Sequence, residues 1–304
     1  MRSDRVQSGG KEKHGAGFTL VELLVSISIL SLLTAIAIPG FSALQRKAIQ
    51  LRGMSNLKQI HNSVSLFAND HGDRYPPSVS WIGGPLPQAY HPRRLVSSTK
   101  PRGAIHRSMS GYLHEYMSDV SLWTCPAAPK KVPDMQEMWD AGDDYVSRSG
   151  SAAFSGHYCF FWGWTGLIEG ETTNGPRPVF RGPRGPGAGR KSSSLLVSDC
   201  FGKDINTDLP GYASCEWFEG ASDSISKDIS AVYWLEEKDR SSLRSLRSPP
   251  LPEVTLKAAY VDGHVALYDV SESLARVRVD RGDGHPNKKD GYYYIPDEGV
   301  PQKR

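Results

Sequence analysis

The chain has 304 residues, with 36 Lys plus Arg against 33 Asp plus Glu and a formal net charge of +3. So small a surplus gives no electrostatic case for a nucleic-acid partner. The 30 glycines and 21 prolines promise a turn-rich chain, and a hydrophobic fraction of 38% excludes a polytopic membrane protein. That fraction averages over very unequal parts.

Residues 1–17 are basic, with Arg2, Arg5, Lys11 and Lys13 against Asp4 and Glu12. An apolar run, FTLVELLVSISILSLLTAIAI, follows from Phe18 to Ile38 and holds one charge, Glu22. It meets the requirement of about 20 apolar residues for a helix that crosses hydrocarbon. The positive-inside rule keeps residues 1–17 in the cytoplasm and sends the rest across the inner membrane. A secretory signal would have a shorter apolar core and a small-residue cleavage site. Ala35-Ile36-Ala37 imitates such a site only weakly, so a plain signal anchor is the simple reading of this run.

Gly17-Phe18-Thr19-Leu20-Val21-Glu22 gives a sharper one. With the apolar run behind it and Pro39 beyond, it resembles the processing site of type IV prepilins and of the pseudopilins of type II secretion. The resemblance implies that a prepilin peptidase cuts after Gly17 on the cytoplasmic side. Phe18 then becomes the methylated N-terminal residue. Glu22 becomes the fifth residue, the assembly carboxylate that meets the amino terminus of a neighbouring subunit. A lone carboxylate in hydrocarbon is costly, so on this reading Glu22 is tolerable only when subunits pack. The alternative places it near the headgroups.

Pro39-Gly40 should bend or locally melt the helix, because proline removes a backbone bond and crowds the preceding turn. Helical spacing then resumes through Phe41, Leu44, Ala48, Leu51, Leu57, Ile60, Val64 and Phe67. This is one apolar stripe, expected to face a core, with Arg46, Lys47, Arg52, Lys58 and Gln59 on a solvated face. Asn69-Asp70-His71-Gly72 should end the helix, and Tyr75-Pro76-Pro77 forbids its continuation. The segment from Met54 to Ile60, MSNLKQI, followed by Tyr75-Pro76-Pro77, resembles pilin-like proteins with large heads.

The remainder reads as an α+β head with an antiparallel sheet. Candidate strands lie at 158–162, 194–198, 213–218 and 231–235. The clearest hairpin runs from Lys257 to Tyr268, with Asp262-Gly263 as its turn between apolar alternations. It resembles the DGHV segment of a prepilin-like family named for a His-x9-Asp-Gly pattern. This chain has Pro252 where that histidine would fall, so only a structural role carries over to Asp262 and Gly263. The stretch at 174–191, NGPRPVFRGPRGPGAGRK, is too poor in apolar residues to fold alone and reads as a mobile basic loop. Its arginines suit a phosphate or an acidic glycan, but Phe180 is its one stacking aromatic. The runs Phe160-Phe161-Trp162-Gly163-Trp164 and Tyr292-Tyr293-Tyr294 could stack on sugars, and core packing is the commoner use of such residues.

Cys125, Cys159, Cys200 and Cys215 all fall in the head, where export permits disulfides. Three connectivities are open, with Cys200 and Cys215 as the first pair to consider. Their spacing fits no zinc motif. Asp283 and Asp290 bracket a segment with some character of a calcium loop, which the pseudopilin resemblance encourages, but EF-hand spacing is missing. No nucleophile elbow, phosphate loop or dinucleotide fingerprint is present.

The expected organisation is a cytoplasmic leader at 1–17, the transmembrane half of a long helix at 18–39, its amphipathic continuation at 40–72, and an exported head at 73–304. The expected role is a non-enzymatic filament subunit without a cofactor. The resemblance implies other pilin or pseudopilin subunits, the prepilin peptidase and inner-membrane lipid as partners. A membrane-anchored binding protein or enzyme that uses the same anchor is the alternative.

Overall fold

The computed structural model describes residues 18–80, 92–101, 103–117, 119–126, 135–146, 150, 154–169, 179–187, 192–204, 210–213, 255–269, 275–278 and 291–296. The chain divides into one unit that ends at Lys47 and a second that begins at Ala48.

Helix α1 runs from Leu20 to Asp70, 51 residues without interruption. It continues through Pro39 and Gly40, so the local melting suggested by the proline does not occur. It stops where the sequence predicts. Gly72 and Asp73 turn into the left-handed region at φ 63° and 57°, and the Asp73 N–H reaches back to the Ala68 carbonyl at 2.9 Å. This backward bond satisfies a carbonyl that the ended helix would leave open.

In the second unit β1 (Arg94–Val96) pairs antiparallel with β2 (Phe154–Ser155). The larger sheet contains β3 (Tyr158–Phe160), β4 (Thr165–Glu169), β5 (Val179–Arg181), β6 (Leu195–Asp204), β7 (Pro210–Ala213), β8 (Thr255–Tyr260), β9 (Val265–Asp269), β10 (Ala275–Arg278) and β11 (Gly291–Ile295). Its path is β5-β4-β10-β11-β6-β8-β9, with β3 and β7 also paired to β6. Every pairing is antiparallel. This is the expected α+β head, and β6, its longest strand, is the hub. The candidate strands at 213–218 and 231–235 lie outside the described residues, apart from Ala213 at the end of β7.

Both faces of the sheet are covered, which explains why its strands read as apolar runs instead of clean alternations. On one face Tyr158, Phe160 and Trp162 share a core with Leu57, Ile60, Val64, Phe67 and Ala68 of α1. On the other, Cys159, Phe161, Trp164 and Phe180 pack with Leu195, Ala258, Tyr260 and Ile295. The aromatic run at 160–164 is therefore core. The apolar stripe of α1, however, is divided. Leu57 onward is buried, whereas Phe41, Leu44 and Leu51 are 67%, 70% and 56% exposed. Among the described residues of α1, Ile49 packs half-buried against this core and Leu57 to Ala68 are buried in it.

A charged pair crosses the centre of the sheet. Lys257 on β8 and Asp199 on β6 are both fully buried, with Nζ 3.1 Å from Oδ2. The Lys257 N–H also donates to Oδ2 at 2.8 Å. Removal of one partner from such a pair costs about 3–5 kcal/mol, because the other charge stays buried.

Within the basic stretch at 174–191, which its composition suggests is a mobile loop, the described residues are ordered against the sheet. Its described part, 179–187, contributes β5 and then packs closely. The Gly182 N–H donates to the Trp164 carbonyl, and the Pro183 and Arg184 carbonyls accept from Gly163 and Tyr75, at 2.8, 2.8 and 2.9 Å. A Cβ at Gly182 would fall onto the Phe161 carbonyl oxygen. Gly182→Ala is therefore expected to destabilise the head by about 2–3 kcal/mol. A fall in the urea midpoint reads this, and an unchanged midpoint would remove the loop from the structural core.

His157 is buried, and its Nδ1 accepts from the Cys125 N–H at 3.0 Å. Burial, reinforced by the Arg93 charge, lowers its pKa from 6.5 to about 4. The unfolded chain therefore binds this proton more readily, and stability falls as pH drops from 6.5 towards 4. The loss reaches roughly 3 kcal/mol at the lower end. Urea midpoints at pH 7 and pH 4.5 are expected to differ less for His157→Gln than for the parent; equal differences would contradict this assignment.

Candidate assembly site at the helix N-terminus

Thr19 stands immediately before the first residue of α1, and its carbonyl accepts the first helical bond, from Leu23, at 3.2 Å. The Glu22 N–H donates to Thr19 Oγ1 at 3.2 Å. In return Glu22 Oε2 accepts from the Thr19 N–H at 2.9 Å and from Thr19 Oγ1 at 2.7 Å. This reciprocal arrangement is a capping box. It occupies donors that every helix N-terminus leaves open, and it sets a carboxylate against the positive end of the helix dipole. Glu22 thus has a partner in its own helix, which corrects the expectation that only a neighbouring subunit can supply one. The signal was present in the sequence as Thr-x-x-Glu ahead of an apolar run. Among the described residues Oε1 takes no bond, and it remains open to another donor.

Behind the cap the helix hides its remaining polar side chains. The hydroxyls of Ser26, Ser28, Ser31 and Thr34 donate to the carbonyls of Glu22, Leu24, Ile27 and Leu30 at 2.7, 2.8, 2.7 and 2.7 Å. Each is satisfied four residues back within the helix, as an apolar environment demands. Meanwhile Phe18, Leu20, Val21, Leu23, Leu24, Val25, Ile27, Ile29, Leu30, Leu32, Leu33 and Ile36 are all exposed, Phe18 at 79%. Among the described residues no helix is long and apolar enough to cross a membrane. The side chains described without a break reach only Ile36. Gly17 lies outside the described residues, as do the side chains of Pro39 and Gly40.

The Asp262-Gly263 turn joins β8 to β9 as predicted, and it also grips α1. Lys58 Nζ donates to the Gly263 carbonyl, and His61 Nε2 meets the Val261 carbonyl at 3.2 Å. Gly263 has φ +85°, and a Cβ there would stand 2.7 Å from Lys58 Nζ. Lys58 is exposed, as its spacing suggests, and its ammonium also docks on the turn. Asp262 Oδ1 accepts from the N–H and Nδ1 of His264 at 3.1 and 2.6 Å. Burial opposes ionisation of Asp262, but these bonds outweigh it and hold the carboxyl below its ordinary range.

Of the cysteines, Cys125 is disulfide-bonded, whereas Cys159 and Cys200 are free thiols. The pairing of Cys200 with Cys215 is therefore not made. Cys215, Asp283 and Asp290 lie outside the described residues. Among the described residues no group of three or more His, Cys, Asp or Glu side chains could hold a metal ion.

The N-terminal segment is prepilin-like: the prokaryotic N-terminal methylation motif matches residues 13–38. Three curated relatives extend that match. The type IV major pilin protein PilA of Myxococcus xanthus is 37% identical over 67 residues, 22% of this chain and 30% of the relative. The type II secretion system core protein G of Dickeya chrysanthemi is 24% identical over 155 residues, 46% of this chain and 96% of the relative. The corresponding protein of Aeromonas hydrophila is 30% identical over 66 residues, 22% of this chain and 46% of the relative. The chain thus spans less than half of two of these relatives and nearly all of the third. No solved structure matches it.

Loss of the Thr19 hydroxyl should loosen the first helical turn. Thr19→Val is expected to destabilise that turn by about 1 kcal/mol. Amide hydrogen exchange in detergent micelles should then be faster at Glu22 and Leu23. Exchange as slow as in the parent would show that the box does not hold the helix end.

Proposed function

We propose that this chain is a prepilin-like structural subunit, non-enzymatic, of a type IV pilus or a type II secretion pseudopilus. Prepilin peptidase removes residues 1–17, Phe18 is N-methylated, and α1 assembles with the helices of other pilin or pseudopilin subunits. Before assembly, residues 18–39 lie in the inner membrane, with the leader in the cytoplasm and the head exported.

The observation that carries this reading is the surface of α1 from Phe18 to Ile36. It is apolar, exposed throughout and internally satisfied in its polar groups, and it lies within the methylation motif. Such a surface needs lipid or other helices around it. Phe41, Leu44 and Leu51 extend it towards the turns that pack on the sheet. Glu22 Oε1 is the acceptor for a neighbour's new amino group, while Oε2 stays with Thr19.

Intact mass and N-terminal sequencing of the membrane-extracted protein test the processing. The expected N-terminus is methylated Phe18, and Gly17→Leu should retain the leader. Glu22→Ala should still be cleaved, but its recovery in sheared filaments should fall about tenfold, the equivalent of about 1.4 kcal/mol of lost pairing. An uncut chain in cells with an active peptidase would favour a membrane-anchored binding protein or enzyme. Normal incorporation of Glu22→Ala would remove the role given to that carboxylate.

A further inference from the structure

Two thiols meet in the core of the head. Cys159 is the central residue of β3, which pairs antiparallel with β6 so that Tyr158 faces Asp199, Cys159 faces Ser198 and Phe160 faces Val197. Side chains alternate between the faces of a strand. Ser198 and Cys200 therefore share the face of Cys159, and Cys200 is its diagonal neighbour. Both side chains enter the same buried cluster, where each thiol bears on the other's ionisation. They are 1% and 5% exposed and sit among Phe161, Trp164, Phe180 and Leu195. Both are reduced in this structure, in a head whose Cys125 is already disulfide-bonded.

We propose that Cys159 and Cys200 are a second disulfide site, closed across β3 and β6 by an exported thiol oxidase that carries a disulfide. Both S–H bonds break and one Sγ–Sγ bond forms. The oxidase disulfide takes up the two electrons and the two protons and becomes a dithiol. The site rests on the exported head of the proposed function, since only an oxidising compartment sustains such a bond.

The surroundings favour closure. Burial pushes the Cys159 thiol up, and the neighbouring Cys200 pushes it further. Burial acts against ionisation of Cys200 too, but the neighbouring Cys159 and the Arg93 charge outweigh it and hold that thiol below its ordinary range. Because the pair is buried in the finished head, oxidation belongs to folding, as β3 seats on β6. The bridge would enclose β4, β5 and the docked loop at 179–187, and so restrain the unfolded chain over that span.

Alkylation during extraction, followed by non-reducing peptide mapping of the full exported chain, decides the matter, and the Cys125 bridge serves as the internal control. The expected result is a linked peptide containing Cys159 and Cys200, with neither thiol alkylated after unfolding. In Cys159→Ala, Cys200 should then label completely. If Cys125 is bridged while Cys159 and Cys200 both label, the proposal is overturned and export stands. If Cys125 is also reduced, export has failed in those cells, and refolding in glutathione redox buffer becomes the deciding arm. A linked pair there supports the site, and two free thiols overturn it. The double variant Cys159→Ala/Cys200→Ala keeps the packing roughly apolar, and its Tm should fall less on addition of reductant than the parent's.

Discussion

A single continuous helix carries two apolar stretches, one buried in the core of the head and the other exposed among the described residues. From Leu57 to Ala68 the apolar side chains of α1 are buried against the sheet. Full burial of each Leu, Ile, Val or Phe contributes about 1.5–3 kcal/mol. From Phe18 to Ile36 side chains of the same kinds stay exposed. In water that half would carry a matching penalty at nearly every position. The hydrophobic effect therefore makes the environment of α1 part of its structure, and on the proposed reading lipid or other subunits surround these exposed side chains.

The head holds the C-terminal part of this helix, with Leu57 to Ala68 buried in its core. Its hub, β6, collects β3, β7, β8 and β11, and the buried Lys257–Asp199 pair fixes the register of β8 against it. A slip by one residue would part that pair inside the core. Fixed register in turn places the Asp262-Gly263 turn over Lys58 and His61. The turn is thus a clamp on α1 as well as a reversal of the chain. The absence of a side chain at Gly263 permits that approach, and no larger residue could match it at the same φ.

Much of this was legible in the sequence, because it is local. The apolar run, the methylation motif at 13–38, the end of the helix at Asp70 and the Asp-Gly hairpin each depend on neighbours in the chain. The capping box was equally local, but Glu22 stood out as a charge in an apolar run and its pairing with Thr19 went unread. What could not be read depends on distant partners. Periodicity gives the stripe from Phe41 to Phe67 one identity, yet the sheet reaches only its second half. Composition makes 179–187 look mobile, yet the Trp164 carbonyl and the Gly163 and Tyr75 N–H groups wait to bond it. Lys257 looks like a solvent-facing strand residue until Asp199 arrives from β6. Nor does spacing bring Cys159 and Cys200 together, since their contact is created by strand pairing alone.

The cap on Glu22 also changes how assembly is understood on the proposed reading. A subunit must wait in the bilayer before it joins a filament, and a bare carboxylate there would be costly for the whole of that time. Thr19 supplies a holding partner from the same helix, so the waiting state is already hydrogen-bonded. Pairing of Oε1 with a neighbour's amino group then adds a bond to a carboxylate already held through Oε2, instead of rescuing an unpaired charge. The free-energy difference in that step is correspondingly small. The larger drive must come from packing the exposed apolar side chains of adjacent helices, summed over many positions. Glu22 contributes direction, because of all the lateral registers that apolar helices tolerate, only one brings an amino group within reach of its free oxygen.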